Sequence, residues 1–189
     1  MNSKRLNAKS IVKRLCLSCL LLMTVSTFTS QHAFAGKAKS VKKDSHVQTS
    51  HEFQLPASAV WKLISGFNTL PKYHAAVPES HLSEDGSIRY LTISEDAGGG
   101  VVVERLMEFD HEDMNFSYKI IGLIESPLPV ENYQAWVNLE STGANSCKLY
   151  WQSTFDIPEG GTKKESEDII EAIYKGCYDG IIRVLVQDS

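Results

Sequence analysis

Two hydrophobic periods divide this chain, and their order is what most restricts its fold. From Ser80 to about residue 157 apolar residues recur at every second position, the mark of half-buried strands. Turn signals cut the stretch at Asp85-Gly86, Gly98-Gly99-Gly100, His111-Glu112-Asp113 and Thr142-Gly143-Ala144-Asn145. Strands are therefore expected near 80–84, 87–94, 101–110, 115–123, 130–141 and 146–157. Pro158-Glu159-Gly160-Gly161 breaks the pattern, Thr162 can cap a helix, and Glu165, Glu167 and Asp168 lie in its opening turns, where the macrodipole favours acids. The period then becomes helical: Ile169, Ile170, Ile173, Tyr174, Cys177, Ile181, Val184 and Leu185 form one broad stripe. Upstream, Val47–Leu55 reads as a first strand. Pro56-Ala57-Ser58 opens a helix carrying Val60, Trp61, Ile64 and Phe67, and a short helical turn is expected at Tyr73–Ala76. The expected class is α+β: a curved antiparallel sheet of about six to seven strands, two short helices after the first strand, and a long C-terminal helix across the concave face.

The N-terminus has a different character. Lys4, Arg5, Lys9, Lys13 and Arg14 are its only charged residues before an apolar run from Leu15 to Val25, and Ala33-Phe34-Ala35 follows. A basic segment, a short apolar segment and a small-x-small site are the parts of a secretory signal peptide. The run is too short for a bilayer-spanning helix, which needs about 20 residues. Cys16 and Cys19 open the run, whereas a lipidated cysteine closes one. Residues 1–35 are thus expected to be a signal peptide cleaved after Ala35, with no stable membrane anchor and a periplasmic or secreted destination. Residues 36–47 read as a polar linker and 48–189 as one domain.

Charge and motifs narrow the function. The chain carries 19 basic and 23 acidic residues. Without the five basic residues of the leader, 14 face 23, a net charge of −9, which argues against a nucleic-acid partner. The chain has no HExxH, CxxC or Walker loop, and His46, His51, His74, His81 and His111 are scattered, so neither a metal site nor a cofactor is expected. Cys147 has inward strand parity and Cys177 lies on the helical stripe. Outside the cytoplasm the two can form a disulfide, worth about 2–4 kcal/mol, or remain separate buried thiols.

The ordered set of motifs resembles the START/Bet v 1-like (SRPBCC) superfamily, in its bacterial polyketide cyclase/dehydratase and lipid-transport-like branch. The matching residues are Val60-Trp61 with Phe67, Glu104-Arg105-Leu106, Leu128-Pro129-Val130-Glu131-Asn132-Tyr133, Trp151, and Asp156-Ile157-Pro158-Glu159-Gly160 before the closing helix. The resemblance implies a helix-grip fold with a pocket for a small hydrophobic or amphipathic molecule between sheet and helix. The strand and closing-helix motifs are similar to those of plant abscisic-acid receptors. However, the receptors' Ser-Gly-Leu-Pro-Ala gate loop is here Glu95-Asp96-Ala97-Gly98-Gly99-Gly100, and their His-Arg-Leu latch is Leu128-Pro129-Val130. The resemblance therefore implies a pocket but not that hormone.

Parity and resemblance together nominate ligand-contacting residues: His74, Glu104, Leu106, Tyr118, Tyr133, Trp151 and Tyr174. An acid at Glu104 on an inward face needs either a ligand or a structural partner such as Arg89, Arg105 or a tyrosine hydroxyl. His74 stands where the plant receptors carry a lysine that pairs with a ligand carboxylate. The first expectation is an exported, monomeric binding protein. An alternative is a cyclase/dehydratase-type enzyme with Glu104 or His74 as acid/base. A further alternative is a periplasmic accessory protein that binds a protein partner without a small ligand.

Overall fold

The alternating stretch forms six strands of one seven-stranded antiparallel sheet in a computed structural model of the chain, which describes residues 44–187. Strand β1 (Asp44–Phe53) is followed by helices α1 (Ala57–Ile64) and α2 (Leu70–Tyr73). Then come β2 (Glu79–Leu82), β3 (Ile88–Thr92), a 3-10 turn at Glu95–Ala97, β4 (Val101–Asp110), β5 (Asn115–Ile124), β6 (Glu131–Gly143) and β7 (Ser146–Asp156). The long helix α3 spans Lys163–Ile182 and runs into a π turn at Arg183–Gln187. Strands β2 to β7 form a meander, and β1 pairs with β7 from Asp44↔Asp156 to Phe53↔Cys147. Because β1 begins at Asp44, it takes in residues 44–47, which the sequence reading gave to the polar linker. The second short helix also starts earlier than the expected turn, at Leu70, because Pro71 is tolerated in a first turn. The expected leader lies outside the described residues.

Parity holds along the long strands. Tyr133, Ala135, Val137 and Leu139 of β6 are buried with Cys147, Leu149, Trp151, Ser153 and Phe155 of β7. The apolar stripe of α3, through Ile170, Tyr174, Cys177 and Ile181, joins them in one core. Thr162 caps α3 as its chemistry suggests, its Oγ1 accepting from the Glu165 N–H at 3.3 Å. Trp61 on α1 enters the same core, and its Nε1 donates to His111 Nδ1 at 3.0 Å. Among the described residues no helix is long and apolar enough to cross a membrane.

The side of α3 that faces α2 carries two glycines, Gly176 and Gly180, one turn apart. A β-carbon on Gly180 would lie 1.6 Å from the Tyr73 carbonyl oxygen, and one on Gly176 would lie 2.9 Å from His74 Nε2. Their bare backbone lets the end of α2 lie directly on the long helix, which brings His74 against α3.

Candidate ligand pocket

The space between sheet and α3 is not filled. A cavity of about 420 Å³ remains, within the usual range for small-molecule sites. Its walls are mostly aliphatic: Leu70, Val77, Leu91, Val102 and Ile120 on one side, Ile169, Ile170 and Ile173 of α3 on the other. The 3-10 turn contributes Ala97, and the β5–β6 loop contributes residues 126–129. Ser166 Oγ donates to the Pro129 carbonyl at 2.7 Å, tying that loop to α3. A β-carbon on Gly98 would lie 2.6 Å from Pro127 Cγ, and one on Gly100 would lie 2.5 Å from the Glu125 backbone. Both glycines have positive φ, so the triple glycine lets the two loops pack closely.

The polar end of the cavity rests on one ion pair. Arg89 and Glu104 are direct cross-strand partners on β3 and β4, and Arg89 Nε donates to Glu104 Oε2 at 2.5 Å. The two side chains are 3% and 7% exposed, so solvent screens them little. Arg89 Nη1 donates to the Phe67 carbonyl at 2.9 Å. The guanidinium lies over the rings of Phe67 and Tyr118, 4.3 and 4.9 Å from their centroids. Burial pushes the Glu104 carboxyl up from the usual carboxylate range, and the guanidinium beside it opposes that shift. A register shift between Val103 and Glu104 helps place this pair, since such irregularities re-aim side chains.

The hydroxyls of Tyr118 and Tyr133 lie at the same end. Trp151 Nε1 donates to the Tyr118 hydroxyl at 3.1 Å, and the hydroxyls of Tyr133 and Tyr174 are 2.6 Å apart. Burial holds the Tyr118 and Tyr133 hydroxyls well above the ordinary tyrosine range, so both keep their protons. His74 is engaged on both nitrogens. Nδ1 accepts from the Ala76 N–H at 3.3 Å, and Nε2 is 3.1 Å from the Ile173 carbonyl, which requires the Nε2–H tautomer. Burial lowers its pKa, which keeps the ring neutral.

Five of the residues nominated from sequence therefore share the cavity: His74, Glu104, Tyr118, Tyr133 and Trp151. Two do not line it. Leu106 has inward parity but is half-buried against the core beside Tyr118, below a second register shift, between Leu106 and Glu108. Tyr174 lies behind the wall, stacked on Trp151 with centroids 5.4 Å apart, and acts through its bond to Tyr133. Cys147 and Cys177 are not joined; each is a free, buried thiol. Cys177 faces the cavity, whereas Cys147 pairs with Phe53, four residues from Trp151 and about 13 Å along the strand. Arg89 is the pocket residue that the sequence reading named only as a partner for Glu104.

Comparison with known proteins agrees with this geometry. The family described as polyketide cyclase / dehydrase and lipid transport matches residues 44–187. The abscisic acid receptor PYL2 of Arabidopsis thaliana is 27% identical over 129 residues, covering 64% of this chain and 66%, just under two-thirds, of the receptor. The solved structure of the protein XoxI from Bacillus cereus is 28% identical with a TM-score of 0.69, over 77% of this chain and 99% of that one. An uncharacterised protein from Bacillus thuringiensis is 30% identical with a TM-score of 0.66, over 72% of this chain and 96% of its own. With the helix-grip sheet, the gripped helix and the cavity between them in agreement, the chain belongs to the polyketide cyclase / dehydrase and lipid transport family.

Proposed function

We propose that this protein is exported and holds one small hydrophobic or amphipathic molecule in the cavity between sheet and α3. The observation that carries the reading is the cavity itself: an aliphatic chamber of about 420 Å³ with its few polar groups gathered at one end. A family named for lipid transport, and similarity to a receptor named for a small hormone, support the same reading. The two residues nominated for acid/base chemistry are both engaged, Glu104 by Arg89 and His74 by two backbone groups. Neither is poised to exchange a proton with substrate, which favours binding over catalysis. The leader of residues 1–35 would take the domain out of the cytoplasm, with residues 36–43 as a short polar link to β1.

Native mass spectrometry of the protein from its own extracytoplasmic fraction tests both parts. The expected result is a chain beginning at Gly36 that carries a stoichiometric extra mass. A chain retaining Met1 in the cytoplasmic fraction would overturn export. Failure of the purified protein to bind any apolar probe, with no added mass, would overturn the binding role.

A further inference from the structure

The charges around the cavity do not match every amphiphile. Three ionisable acids or bases with a full charge line it: Arg89, Glu104 and Glu165. Arg89 and Glu104 are paired, and Glu165 is an exposed acid in the first turn of α3. His74 can add no cation while its Nδ1 accepts a backbone N–H and its Nε2 donates to a carbonyl. An anionic head entering the chamber would thus lose its water and meet no uncompensated positive charge, and a buried, unpaired ion is strongly disfavoured.

Two of the hydrogen-bonding groups left at the polar end are donors, beside one acceptor, Glu104 Oε1, whose carboxylate takes Arg89 Nε on Oε2. The Tyr118 oxygen takes the Trp151 N–H, and among the described residues no acceptor takes the Tyr118 hydroxyl hydrogen. Arg89 uses Nε for Glu104 and Nη1 for Phe67, leaving Nη2 without an acceptor among the described residues. A ligand that offers an uncharged acceptor satisfies both donors without adding a charge. A plain hydrocarbon would leave them unsatisfied.

Building on the binding role proposed above, we propose that the pocket selects uncharged ligands with a carbonyl acceptor (an ester, ketone or amide) over carboxylates of the same shape. Its volume corresponds to about 14 water-sized volumes at roughly 30 Å³ each, which sets a medium-sized ligand. The carbonyl lies at the Arg89–Tyr118 end, and the apolar body lies along the isoleucines of α3.

Calorimetric titration of the full folded domain with methyl decanoate, decanamide and decanoate at pH 8 tests this, with Nile red as a general probe of the chamber. The expected result is at least about tenfold tighter binding of both neutral compounds than of the carboxylate, a difference of about 1.4 kcal/mol. In Glu104→Gln the Arg89 charge loses its partner, so the ratio of methyl decanoate affinity to decanoate affinity should fall about tenfold. Should that variant fail to fold, the comparison on the unaltered protein stands alone. Decanoate binding the unaltered protein as tightly as the neutral compounds would overturn the selectivity and leave the binding role intact. No binding of any compound, Nile red included, would overturn the binding role and the selectivity with it.

Discussion

Tyr73 and Gly180 are in backbone contact: the Tyr73 carbonyl oxygen occupies the point, within 1.6 Å, where a β-carbon on Gly180 would stand. Backbone cannot swing aside as a long side chain can. Gly180→Ala should therefore push α2 off α3 and destabilise by about 3 kcal/mol, outweighing the roughly 1 kcal/mol of helix propensity that alanine brings. Gly122→Ala is the control, since its β-carbon would meet Val103 only at ordinary contact, 3.5 Å away. It should leave the urea midpoint unchanged or raise it slightly. Equal effects at the two sites would refute the close-packing account.

The Arg89–Glu104 pair is expected to behave as a buried pair rather than a surface one. Removing one partner leaves the other charged and dry, so Glu104→Gln should cost about 3–5 kcal/mol. Replacing both, as Arg89→Met with Glu104→Leu, should recover most of that loss, because packed hydrophobes can substitute for such a pair. Additive losses in the double variant, read from denaturation midpoints, would mean that the two residues act independently.

His74 gives stability a direction with pH. Burial lowers its pKa in the folded chain below the unfolded value near 6.5, so on acidification the unfolded state takes up a proton first. The His74 contribution is therefore fully present above about pH 6.5. It falls as pH drops, with a slope of at most about 1.4 kcal/mol per pH unit, and levels off once the folded ring is also protonated. Urea midpoints between pH 7.5 and 5.5 should show this decline, and His74→Gln should show a shallower one. An unchanged slope in the variant would remove His74 as the cause.

Cys147 and Cys177 should be inert in the native state. Burial raises the Cys177 thiol strongly and the Cys147 thiol also, and it is the thiolate that reacts. Alkylation should need unfolding, and mild oxidation should leave the intact mass free of any loss of two hydrogens. A native protein that loses both hydrogens quickly would place the two sulfurs in reach of each other, contrary to the structure.

Much of this architecture was readable from residue order. The period switch located the strands to within about two residues, and strand parity found the inward faces of β6 and β7 because both bury a single side. Thr162 and the acids after it marked the start of α3 by simple capping chemistry. What the sequence withheld depends on register and distance. Arg89 was one of several partners offered for Glu104, and the choice among them is made by the one alignment in which β3 and β4 pair, which no local pattern specifies. Leu106 and Tyr174 had the right parity, yet a register shift and a stacked tryptophan keep them off the cavity wall. His74 was nominated as a ligand contact, and its two backbone partners, Ala76 and Ile173, cannot be inferred from spacing. Gly176 and Gly180 drew no notice, since a helical glycine gains meaning only when its neighbour is known.

The pairing of β1 with β7 has a consequence for how the chain comes into being. The first described strand finds its partner only at residues 147–156, so the sheet cannot be completed until about a hundred residues beyond β1 have been made. Contacts this distant in sequence close late and slowly. A growing chain would carry β1 unpaired until β7 has been made, with the gripped helix still to come. Such a polypeptide stays open for as long as β7 is held back, and it encloses its cavity only once α3 has followed.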